Sequence, residues 1–205
     1  MWKLRAGIGL VAVVLIVVGS GGAWSAADDS PKKSRGKAAA AVQSADQPDE
    51  DVTLLELNWE ETKKLIAEHK GKVVVLDAWS TSCPPCMKEF PNLVKLQEKY
   101  GEKIACISFS TDYAGIKKKP PETYREKVLA FLRKNRATFQ NVLCNEPADE
   151  VFEKMEIASI PAVFIYDRDG KLLKRFDNEN LEKGQDDFTY EKDINPFVEK
   201  LVEMP

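Results

Sequence analysis

The run Cys83-Pro84-Pro85-Cys86 places a second thiol one helical turn after the first, where the apolar stretch Lys72 to Trp79 gives way to an amphipathic one starting near Pro85. A thiol at a helix N-terminus faces unpaired backbone N–H groups and the positive end of the helix dipole, which stabilise the thiolate. The thiolate is the species that attacks disulfides, so Cys83 is the candidate nucleophile. Cys86, one turn in and less exposed, is placed to attack the resulting mixed disulfide and release the product. Pro84 and Pro85 stiffen the loop and carry no N–H, so they set how many backbone donors the thiolate meets. Asp77 interrupts the apolar run Val73-Val-Val-Leu-Asp-Ala-Trp79, and a carboxyl group there is a candidate perturbed acid.

The elements that must hold these residues follow from periodicity. Val52 to Leu57 suits a short strand, and Asn58 caps a helix whose apolar side is Trp59, Leu65 and Ile66, ending at Gly71. Lys72 to Trp79 reads as a strand covered on both faces. The helix from Pro85 to Tyr100 carries Cys86, Phe90, Leu93 and Val94 on one side and stops at Gly101. Ile104 to Phe109 is a further buried strand. A helix starting at Pro120 with Tyr124, Val128, Phe131 and Leu132, a strand Phe139 to Cys144 and a helix Ala148 to Met155 come next. Ala162 to Tyr166 and Lys171 to Phe176 form an antiparallel hairpin across the turn at Asp169-Gly170, and a last helix covers Asn195 to Val202. Alternating strands and helices define an α/β fold with a parallel component.

Composition narrows the function classes. With 30 Lys and Arg against 33 Asp and Glu, the chain lacks the basic excess of a nucleic-acid binder. The hydrophobic content of 43% excludes a wholly disordered chain, and four cysteines are too few for a disulfide-built scaffold of this length. The single His, His69, excludes sites that need two imidazoles.

At the N-terminus, Lys3 and Arg5 precede an apolar run, and no charge recurs until Asp28. Small residues Ser25, Ala26 and Ala27 suit cleavage, so 1–27 is a signal peptide; the uncharged stretch also exceeds the roughly 20 residues that span a bilayer, so a retained membrane anchor is the alternative. Both place the remainder outside the cytoplasm, periplasmic or otherwise extracytoplasmic. Residues 28–51 are polar and of mixed charge, a disordered tether, and 52–205 form the folded domain.

The chain resembles the thioredoxin superfamily over most of 52–201. The resemblance rests on Asp77 in the strand before Cys83-Pro-Pro-Cys86, Pro91 inside the following helix, and Ile160-Pro161 ahead of the hairpin ending at Gly170. It implies a mixed central sheet flanked by helices. It also implies that Asp77 accepts a proton from Cys86, that Pro161 is cis and shapes a substrate groove flanked by Trp79, Pro84 and Pro85, and that the Ile160 backbone pairs with a substrate strand. Cys83 and Pro161 stand farther apart than in plain thioredoxin. The extra segment, about Asp112 to Glu146, reads as helix plus strand, which is similar to the exported, membrane-tethered TlpA and ResA-like branch. That branch implies oxidised protein thiols as substrates, no cofactor beyond the Cys83–Cys86 disulfide, a monomer, and a membrane electron donor for a reductase.

Three positions depart from the family pattern. Ser82 stands where Trp is usual, Ser108 where thioredoxin has a Lys near the buried acid, and Ser159-Ile-Pro-Ala162 lacks the Thr-Pro-Glu of cytochrome c maturation reductases. Other readings stay open at this level: an oxidant or isomerase of the same fold, and a non-catalytic module holding Cu(I) or a partner through the same Cys pair. Half of a zinc site would show the same spacing, but no second Cys-x-x-Cys exists, since Cys106 and Cys144 stand alone. Those two are expected as inert core thiols or, in an oxidising compartment, as a disulfide with each other.

Overall fold

The computed structural model describes residues 52–179 and 187–204. The chain divides into two units, Met1–Gln43 and Ser44–Pro205, and every described residue belongs to the second. The export segment and tether expected over 1–51 lie outside the described residues.

In chain order the elements are β1 (Leu55–Leu57), α1 (Trp59–Glu68), β2 (Val73–Trp79), α2 (Pro84–Tyr100), β3 (Ile104–Ser110), α3 (Glu122–Lys134), β4 (Gln140–Cys144), α4 (Ala148–Met155), β5 (Ala162–Tyr166), β6 (Leu172–Phe176) and α5 (Asn195–Glu203). A five-residue π-helical turn, Tyr190–Ile194, runs directly into α5. The strands form one sheet in the order β1-β4-β3-β2-β5-β6. β1, β4, β3 and β2 pair in parallel, while β5 pairs antiparallel with both β2 and β6. Every residue of β2 and β3 is buried, which is why both read as unbroken apolar runs: helices cover the two faces of the sheet.

Alternation along β2 sorts the core into two layers. Val73, Val75 and Trp79 pack with Cys86, Phe90 and Leu93 of α2, Val128 and Leu132 of α3, and Val198 and Leu201 of α5. Val74, Leu76 and Ala78 pack on the other side with Trp59 and Ile66 of α1 and Val151 and Met155 of α4. Helix α1 begins where expected, with the Asn58 side chain accepting from the Glu61 N–H at 2.8 Å and Glu61 returning a bond to the Asn58 N–H. Helix α2 ends at Gly101, whose φ of +53° suits a residue without Cβ.

The extra segment is a helix plus a strand, as the sequence predicts: β4 enters the sheet between β1 and β3 and α3 covers its face. The first strand is shorter than the expected 52–57. The Thr53 and Leu54 carbonyls bond instead to side chains, to Asn141 Nδ2 at 3.1 Å and Arg125 Nη2 at 3.0 Å, so no strand is needed to satisfy them. Among the described residues no helix is long and apolar enough to cross a membrane.

Candidate active site

Cys83 is the N-cap of α2, in extended conformation, and helix positions one and two are Pro84 and Pro85. The first available helix N–H is therefore that of Cys86, which points at Cys83 Sγ at 3.3 Å; the Met87 N–H goes to the Cys83 carbonyl at 3.1 Å. The two cysteines are joined as a disulfide with Cα atoms 5.3 Å apart. Cys83 keeps 9% of its surface accessible against 2% for Cys86, the asymmetry expected of an attacking and a resolving thiol. Across the gap, Cys83 Sγ lies 3.9 Å from the Ile160 carbonyl oxygen, and the Ile160–Pro161 peptide is cis, as the resemblance implies.

A buried carboxylate fastens the loop that delivers Cys83. Asp112, just past β3, accepts the Thr81 N–H at both oxygens (3.2 and 3.0 Å), the Thr81 hydroxyl, and the Ser110 hydroxyl at 2.8 Å. Ser80 then forms a small turn, its carbonyl accepting from the Cys83 N–H at 3.1 Å and its hydroxyl from the Ser82 N–H at 3.1 Å.

Beneath α2 lies Asp77, 4% exposed. It shares the β2 face of Val75 and Trp79, the side covered by α2. Burial lifts its carboxyl to about 7, an effect that the hydrogen bond from Tyr190 opposes and the charge of Glu89 reinforces. The Tyr190 hydroxyl donates to Asp77 Oδ2 at 2.7 Å, and the Tyr190 N–H donates to Glu89 Oε2 at 3.2 Å. Ser108 pairs with Asp77 across β2 and β3 but spends its hydroxyl on Asn141 Oδ1 at 2.7 Å. The partner that Ser108 does not supply comes from the other end of the chain.

A groove of about 100 Å³ opens beside the pair, lined by Pro85, Lys88 and Glu89 of α2, Pro161, and Asn178 and Asp187 to Thr189. Thus Cys83, Cys86, Ile160 and Pro161 come together through the disulfide and the Cys83–Ile160 approach, Pro85 and Pro161 line the adjoining groove, Pro84 is exposed at the helix tip, and Asp77 is buried on the β2 face under α2. Trp79 does not belong with them. It is 0% exposed, its ring 4.9 Å from Phe90 and 4.7 Å from Phe131, because α2 and α3 close over the end of β2; the expectation that it flanks the groove is corrected to a core role. Cys106 and Cys144 are free thiols in opposite core layers, so the alternative of a disulfide between them is also corrected. Burial pushes the Cys144 thiol up to about 12 and that of Cys106 well above its ordinary value, with Asp77 adding to the second. Among the described residues no three His, Cys, Asp or Glu side chains gather as a metal site.

Sequence reasoning misses Tyr190, Glu89, Asp112 and Thr81. The one signal for Tyr190 is its spacing to Ile194, two large apolar-bodied residues four apart in an otherwise polar stretch.

Fold and site together define a thioredoxin-like oxidoreductase, with a Cys83–Cys86 disulfide at a helix N-terminus and a cis-proline opposite. The Redoxin family model matches residues 41–194, and the chain belongs to that family. It is 28% identical over 138 residues to the thiol-disulfide oxidoreductase ResA of Bacillus thuringiensis subsp. konkukian, covering 66% of this chain and 72% of that protein. The thioredoxin-like protein YneN of Bacillus subtilis is 28% identical over 161 residues, with coverage of 78% and 84%. Among solved structures, the thioredoxin-like superfamily protein SPOA0173 superposes with a TM-score of 0.50 at 20% identity, over 68% of this chain and 86% of its own.

Proposed function

We propose that the chain is an exported thiol–disulfide oxidoreductase that reduces protein disulfides through Cys83 and Cys86. Cys83 attacks a substrate disulfide as the thiolate, forming a Cys83–substrate bond and expelling the first substrate thiolate. Cys86 gives its proton to Asp77 and attacks Cys83 Sγ. The intramolecular disulfide forms, the second substrate thiolate leaves, and two electrons have passed to the substrate. A dithiol reductant outside the domain, held at the membrane, restores the pair.

The observation that carries the direction is the first turn of α2. Oxidants of this chemistry are strong because their reduced, thiolate form is well stabilised. Here Pro84 and Pro85 remove two of the N–H donors that would do so, leaving the Cys86 N–H at 3.3 Å. A poorly stabilised thiolate favours the disulfide form of the protein, hence reducing power. Export is supported by Lys3, Arg5 and the apolar run behind them.

Equilibrating the chain against glutathione and dithiothreitol buffers tests the direction. A midpoint near or below about −250 mV is the expected result; one near about −150 mV would make the protein an oxidant or isomerase.

A further inference from the structure

The phenol of Tyr190 is 1% exposed, lies far from Asp77 in sequence, and ends on a carboxyl group the reaction uses. We propose that Tyr190 is the positioning residue of the proton relay: its O–H occupies Oδ2 of Asp77 and leaves Oδ1 to take the proton that Cys86 releases before it attacks. The inference rests on the redox reading above and deepens it.

A carboxyl group has two oxygens, and only one should receive the proton if transfer is to be directional. Oδ2 accepts the Tyr190 hydroxyl at 2.7 Å, whereas Oδ1 accepts no hydrogen bond from the described residues. The phenol donates to a carboxylate oxygen and, more weakly, to the carbonyl oxygen of the protonated acid, so the bond persists as the proton arrives and leaves while its difference in strength favours the carboxylate. Tyr190 cannot lose its own proton, because burial and then the charge of Asp77 hold it well above the ordinary phenol range. Its position is fixed by the backbone. The π-helical turn opens with the Tyr190 N–H bonded to Glu89 Oε2 on α2, one turn beyond Cys86, so the helix that carries the thiols also sets the phenol.

The groups facing Asp77 are few. They are Tyr190 from the π-helical turn, Glu89 from α2 and Cys106 from β3, while of its two strand partners Val163 on β5 is apolar and Ser108 on β3 gives its hydroxyl to Asn141. Tyr190 is the member of that set that donates a hydrogen bond to Asp77. It draws the acid down toward neutrality, where Asp77 can accept a proton from Cys86 and return it to solvent.

The test is a ¹³C-carboxyl NMR titration of Asp77 in the oxidised chain, paired with the pH profile of mixed-disulfide decay when the reduced chain reacts with oxidised glutathione. Tyr190→Phe keeps the ring and removes the donor. Its Asp77 midpoint should rise by about one to two units, the size of one hydrogen bond to a charged group. Mixed-disulfide decay at pH 7 should slow about tenfold or more, with the gap closing above pH 9. In an Asp77→Asn background the same substitution should change nothing further. Site-specific 3-fluorotyrosine at position 190, a stronger donor of the same shape, should move the midpoint the other way, and it serves if the Phe variant does not fold. A midpoint unmoved by either replacement overturns the proposal, as does a moved midpoint with an unmoved decay profile. If the wild-type chain reduces no disulfide, the redox reading fails on its own, and the titration still decides whether Tyr190 governs Asp77.

Discussion

The N-terminal turn of α2 and the interior of the sheet each hold two cysteines, and the molecule treats them in opposite ways. Cys83 and Cys86 sit where a helix begins, joined as a disulfide, with Cys83 the more accessible and a backbone N–H aimed at its sulfur. Cys106 and Cys144 sit in β3 and β4, in separate core layers, their thiolates disfavoured by desolvation. Residue type is the same; the place at a helix start, with a partner thiol in bonding reach and a backbone donor, sets one pair apart from the other.

The sharpest way to break that comparison is to move the chemistry. Cys83→Ser should abolish disulfide reduction, about 10³-fold or more, because it removes the attacking sulfur. Cys106→Ala and Cys144→Ala should leave turnover intact, and activity lost with either would mean the interior thiols take part. Cys86→Ser should capture substrates as mixed disulfides on Cys83, seen as adducts that dithiothreitol releases; a variant that captures nothing argues against protein substrates.

Asp77→Asn comes next, with two effects of opposite sense. Removing the proton acceptor should slow mixed-disulfide resolution about 10²-fold near neutral pH. It should also stabilise the fold. The carboxyl titrates near 7 in the native state against 3.8 in an unfolded chain, so the native state binds the extra proton between those values and loses stability as pH rises through them. Above pH 7 the variant should gain on the order of 4 kcal/mol, and below about pH 4 the two proteins should unfold alike. Urea titrations at pH 3.5 and 8 check the sign.

Smaller effects refine the contrast. Cys106→Ala should cost on the order of 1 kcal/mol, read as a fall in urea midpoint, since it empties a little core volume. Pro84→Ala returns one N–H to the first turn of α2 and should make the pair about 10 to 20 mV more oxidising, the value of one helix-end donor to a thiolate.

How much of this was legible beforehand depends on the range of the interaction. The strands β2 and β3, the Asn58 cap and the Cys83 turn each announce themselves within a few residues, through apolar runs, an N-cap residue and a Cys-x-x-Cys at a helix start. The insertion between β3 and the cis-proline half is legible as well, because helix and strand periods differ. The partners of the buried polar groups are not. Asp77 meets Tyr190 because the C-terminal π-helical turn docks on α2, and Thr81 meets Asp112 because β2 pairs with β3, and nothing local to either residue encodes that. The same holds for Trp79: an aromatic at a strand end near a reactive Cys suits a groove wall, and only the packing of α3 over it shows otherwise.

Strand β1 offers a last consequence. It is the first of the described elements in chain order, yet among the described residues its only strand partner is β4, through Leu55 to Val142, Glu56 to Leu143 and Leu57 to Cys144. Until the chain as far as Cys144 is in place, β1 has no described strand to pair with. The later strands β2 and β3 can meet earlier, with their shorter loop to close. Assembly of this domain therefore runs out of chain order, with its earliest strand among the last to find a place.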